Sequence, residues 1–153
     1  MITRPSTSRI LEDVVEELTR DIMPSLSDPA QQIRLHMLII VLNNCANASE
    51  REISVMRDEI PAYLAFASDV AAATGNADIA AAVASGQMGE SLVLADVIAD
   101  YQRASRAFSA AMDLVMDAVD REFIERGESL LQMRMDNERA ILSGVSAVGR
   151  SAS

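Results

Sequence analysis

The side chains best suited to chemistry in this sequence share one line along one segment. At about 100° per residue, Gln32, His36, Asn43, Asn47, Glu50 and Ser54 fall within about 40° of a common helical meridian, and His36 is the only histidine in the chain. An imidazole whose ordinary pKa lies near neutrality can move protons or bind a metal. Asn43 and Asn47 beside it could orient a ligand in a central pocket. The same stripe on an otherwise apolar cylinder also reads as a solvent strip or an internal hydrogen-bond network, because polar groups inside proteins are usually satisfied structurally.

Known catalytic arrangements are missing. One histidine cannot form a ligand cluster, and the Glu-x-x-His pairs of di-iron bundles are absent, so neither a metal nor another cofactor is expected. There is no Gly-x-Ser-x-Gly elbow, no Cys-x-x-Cys and no Gly-x-Gly-x-x-Gly, and a chain without lysine cannot build a phosphate-binding lysine loop. The formal charge of −10 opposes association with phosphate backbones and anionic lipid, so no nucleic-acid or membrane partner is expected. All 13 basic residues are arginine, a bias of composition from which no function follows. Asp113, Asp117 and Asp120 read as a solvated helix face. Met112, Met116, Met133 and Met135 would line an adaptable apolar pocket or fill gaps in a core.

The elements that must position these groups are helices. Apolar volume comes from Ala, Leu, Ile, Val and nine Met, with no Trp, two Tyr and three Phe, a palette suited to helices rather than pleated faces. Ser6, Thr7 or Ser8 can cap a first helix with Ile10, Leu11, Val14, Val15, Leu18 and Ile22 at helical spacing, stopped by Pro24. Asp28, Pro29 and Gln31 mark a second start. From Ile33 to Leu42 this helix is apolar on nearly every side, which predicts a hub surrounded by protein, with Cys45 buried as a small hydrophobe. A break near Asn47, with Ser49 and Glu52 as a fresh capping box, is the favoured reading, and Pro61 should kink or restart the helix.

Thr74, Gly75 and Asn76 read as a stop, and Asp78 as the cap of a short Ala-rich helix ended by Gly86, with a flexible connection over about 75–89. Ser91 to Arg126 is the longest periodic segment. Its main stripe runs through Leu94, Val97, Tyr101, Ala104, Phe108, Ala111, Val115 and Ala118. Leu92, Ala95, Ala99, Ala107, Ala110 and Leu114 form a second face. Gly127 should interrupt before a last helix carrying Leu130, Leu131, Met135, Ile141 and Leu142, ahead of a frayed tail over 143–153. The expectation is one all-α domain over 1–153, a helical bundle of five or six mostly antiparallel helices. The lone cysteine, the lack of a signal core and an apolar run too short to span a bilayer point to a cytoplasmic protein.

Arg4-Pro5, Ile10-Leu11-Glu12 and Met23-Pro24-x-Leu26, with Leu130-Leu131 and Met135-Asp136-Asn137-x-Arg139 near the other end, resemble a small bacterial all-helical family. Its members are often encoded beside aminoglycoside-phosphotransferase-like kinases and acyl-CoA dehydrogenases. Arg34-x-His36 is similar to an Arg-x-His pairing in that family, although the spacing on to Glu50-Arg51-Glu52 differs and the middle of the chain does not match. The resemblance implies no activity. It implies a possible partner among kinase-like or acyl-CoA-metabolising enzymes, and adds Arg34, Asp136, Asn137 and Arg139 to His36, Asn43 and Asn47 as candidate ligand-binding residues. Asp136 and Arg139 also suit a simple i,i+3 surface pair.

Two functions remain in view. The favoured one is a non-enzymatic helical accessory or protein-interaction protein, expected to be a homodimer because its apolar content exceeds the needs of one domain, with the second face of the long segment or the Met-rich surface buried between protomers. The alternative is a protein or enzyme binding a small apolar ligand in a pocket at His36 and the Asn43/Asn47 stripe.

Overall fold

Ser6 accepts the backbone N–H of Arg9 through Oγ at 3.2 Å and so caps α1, Thr7–Glu17. These contacts come from a computed structural model, which describes residues 4–118 and 120–142; the expected frayed tail lies outside them. Among the described residues there are five α-helices and no strand, so the fold is all-α. After α1 the chain widens into a π-helix, Leu18–Ile22, and tightens into a 3-10 turn, Met23–Ser25. Pro24 cannot donate to a helical ladder, so regular α geometry ends ahead of it.

The second helix, α2, runs unbroken from Pro29 to Thr74. Asp28 caps it by accepting the Ala30 N–H at 2.9 Å, with proline at the first position as sequence chemistry requires. The break expected near Asn47 does not occur. Ser49 Oγ donates back to the Ala46 carbonyl at 2.8 Å instead of accepting an N–H as a cap would. Nor does Pro61 restart the helix. It lies on the exposed side, while Ile60, Tyr63, Leu64 and Phe66 are locked in the core and outweigh one missing backbone bond.

Gly75, at φ 69°, ends α2 in the left-handed region that favours glycine. Asn76 rather than Asp78 caps α3, Ala77–Ser85, by accepting the Ile79 N–H at 3.0 Å. This ordered helix occupies most of the connection expected to be flexible. The long periodic segment divides into α4, Leu94–Ala118, and α5, Arg121–Ile141. Gly127 does not interrupt α5; it is buried within it. Ala107, expected on the second face of α4, belongs to the core.

The chain forms two compact units: Met1–Glu52 with Glu138–Ser153, and Ile53–Asn137. In the first, Ser8 Oγ donates to Glu50 at 2.6 Å and Gln32 Nε2 donates to the Leu26 carbonyl at 2.7 Å. These ties at both ends set α1 antiparallel to the first half of α2. Leu35, Ile39 and Ala46 are the buried side of α2 here.

The second unit holds the larger core. Tyr63, Phe66 and Val70 of α2 pack with Ile79 of α3 and with Ala104, Phe108, Ala111 and Val115 of α4, flanked by Phe123, Ile124 and Leu130 of α5. All five aromatic rings of the chain join here. Tyr63 stacks on Phe108 at 4.8 Å between centroids, and Phe66 meets Phe108 at 5.2 Å and Phe123 at 6.1 Å, spacings at which ring pairs add to burial. Arg126 lies over the Phe66 and Phe123 rings and pairs with Asp69 at 2.7 Å.

Candidate functional site

Two features stand out once the core is placed: a carboxylate buried where apolar residues belong, and a helix face exposed where burial was expected. The first is Glu59, 2% exposed. Its Oε2 accepts the Tyr63 hydroxyl at 3.0 Å and the Tyr101 hydroxyl at 2.7 Å, and its Oε1 accepts the Asn137 side-chain amide at 2.7 Å. The donors come from α2, α4 and α5. Three donors occupy most of the acceptor capacity of a carboxylate, so one buried group ties α2, α4 and α5 together. A second polar clasp lies in the same unit. Asp100 accepts the Gly89 N–H at 2.8 Å and pairs with Arg103, while Arg57 donates to the carbonyls of Gly89 and Ser91, each at 3.1 Å.

Burial, followed by the neighbouring hydroxyl and the Glu59 carboxylate, pushes the Tyr63 hydroxyl well above the usual tyrosine range. Tyr101 is raised too, by burial first and Glu59 next, against opposing pulls from its hydrogen bond with Tyr63 and then from Arg134. A phenol that ionises less readily folded than unfolded stabilises the fold in full below the unfolded pKa of about 10 and loses that stabilisation as pH climbs towards the folded value. Urea unfolding should therefore show stability falling above about pH 10, and Tyr63→Phe should flatten that fall. An unchanged slope in the variant would contradict the assignment.

The second feature is the first half of α2. Ile33, Met37, Leu38 and Val41 are 66%, 54%, 59% and 54% exposed, and Cys45 on the same arc is exposed rather than buried. The segment is therefore two-sided: Leu35, Ile39 and Ala46 face inward and a second apolar face meets solvent. It is not the enclosed hub that its composition suggests.

The residues singled out by sequence do not gather in one place. His36 and Arg34 are exposed. Asn43 is half-buried, and Asn47 donates to the Ile141 carbonyl at 3.2 Å. With Glu50 held by Ser8 and Gln32 by Leu26, half of the polar stripe ties α2 to neighbouring segments of its own unit. Asp136 accepts from Gln132 at 2.9 Å, and Arg139 is exposed. Asn137 alone among these residues reaches the buried node. Sequence reasoning missed Glu59, Tyr63 and the role of Tyr101. The available signal was the Glu59/Tyr63 spacing of four and the confinement of both tyrosines to apolar helix faces.

Among the described residues, no three His, Cys, Asp or Glu side chains come together as metal ligands would. An open groove of about 270 Å³ in the second unit is lined by Ser68, Ala71, Ala72, Ala80 and Val83, a wall whose only polar side chain is one hydroxyl. No family model, curated protein or solved structure matches the chain. No described helix is long and apolar enough to cross a membrane.

Proposed function

We propose that this chain is a non-catalytic helical interaction protein that works by burying the first half of α2 against protein, and that it self-associates as a homodimer. The observation supporting this is the exposed row Ile33, Met37, Leu38 and Val41. Scattered apolar residues are ordinary on a surface, but a contiguous group on one helix arc marks an interaction site. The rest of α2 is already used in packing and in the buried node, which leaves this arc as its unpartnered stretch of large side chains. A reducing cytoplasm suits a protein whose single thiol is exposed.

Light scattering on the eluting protein tests the reading. The expected mass at micromolar concentration is twice the 16.5 kDa of the chain. Leu38→Glu should weaken association at least tenfold, about 1.4 kcal/mol, without altering helicity, because position 38 is largely exposed. A wild type that stays monomeric would overturn the homodimer.

A further inference from the structure

Resting on that reading, we infer that the partner of the α2 face is a second copy of this chain docked antiparallel across a two-fold axis, with Leu38 of each copy against Val41 of the other and Arg34 across from Cys45. Three observations lead there. The exposed positions Arg34, Leu38, Val41 and Cys45 are spaced by four, three and four residues, the repeat that lets one helix seat its side chains between those of another. Ile33 and Met37 flank this seam on the same arc.

Charge selects a second copy. The stretch from Pro29 to Ser49 contains no aspartate or glutamate and is the longest such stretch in a chain of net charge −10. Two copies repel one another over most of their surfaces. Along this face of α2 two copies can approach without bringing the helix's own carboxylates together. The same reasoning sets direction. Arg34 is the one charged side chain on the seam, and a parallel pairing in register would place two guanidiniums side by side. Antiparallel pairing sends them to opposite ends.

The geometry is self-complementary, as a two-fold contact must be. With the axis midway between Leu38 and Val41, one operation generates both the Leu38–Val41 and the Arg34–Cys45 pairs. Burying the four large apolar side chains, the Arg34 stem and Cys45 in both copies removes about 1,000 Å² from water, which reaches the lower bound for a specific interface. At a rise of 1.5 Å per residue and an interaxial distance of 8–10 Å, the two Cys45 positions lie about 19 Å apart, whereas Arg34 and Cys45 of different copies lie directly across the seam.

The test uses the native thiol and a short bismaleimide, with light scattering on each sample before cross-linking. Wild type should remain uncoupled while dimeric. Arg34→Cys should couple between copies through positions 34 and 45, identified by mass spectrometry of the joined peptides. Efficient Cys45-to-Cys45 coupling in wild type would mean parallel pairing and overturn the inference. A dimer coupled in neither protein would mean that another surface makes it, overturning this seam while leaving self-association intact. A monomer in both would overturn the seam and the homodimer together.

Discussion

Glu59→Ala is expected to lower the free energy of unfolding by about 3–5 kcal/mol, a large share of the 5–15 kcal/mol typical of a whole domain. The substitution removes no exposed ion pair. It takes away the acceptor shared by Tyr63, Tyr101 and Asn137. Each buried donor left without a partner costs about 1–3 kcal/mol, and the emptied volume adds a cavity term. Tyr101 offsets part of the loss, because it is only half-buried and its hydroxyl can turn to water. Glu59→Gln keeps the volume and one acceptor oxygen but brings an amide donor against other donors, so about 1–2 kcal/mol should be lost. Urea unfolding of the two variants and of Asn137→Ala measures this directly. A loss below about 1 kcal/mol for Glu59→Ala would mean that the node does not hold the helices together.

How much of this was legible depended on whether the deciding chemistry was local. The α2 start at Asp28 and Pro29 and its stop at Gly75 follow from cap and turn requirements within a few residues, so sequence alone places them. Ser49 and Pro61 carry the same kind of signal and mislead. Ser49 spends its hydroxyl on a carbonyl behind it, and Pro61 sits in a helix fixed by core residues on both sides.

The segment from Ile33 to Leu42 misleads for another reason. Apolarity all round a helix does not say that its own chain covers both faces: Leu35, Ile39 and Ala46 are buried, while Ile33, Met37, Leu38 and Val41 are exposed. In the candidate site, polar spacing drew attention to His36, which is exposed. The buried carboxylate went unread because Glu59 joins Tyr101 and Asn137, residues 42 and 78 positions away, a relation that no helical period encodes.

Gly127→Ala should destabilise the protein by about 1–2 kcal/mol, against the usual gain of about 0.5–1 kcal/mol when alanine replaces a mid-helix glycine. A Cβ at this position would lie 2.0 Å from Met112 Sδ, 2.8 Å from Met112 Cε and 3.4 Å from Phe66 Cζ. The absence of a side chain here is what lets α5 approach α4 so closely, which is why this glycine sits inside a helix rather than ending one. Met112 is flexible enough to swing aside, but it packs against the core cluster and gives up those contacts when it moves. The cost therefore belongs to the pair. In a Met112→Ala background the space is already free, and the same Gly127→Ala change should turn neutral or stabilising by about 0.5–1 kcal/mol. A double-mutant cycle on the urea midpoints isolates the coupling. Destabilisation that persists without the methionine would place the requirement for glycine in the backbone of α5 rather than in its approach to α4.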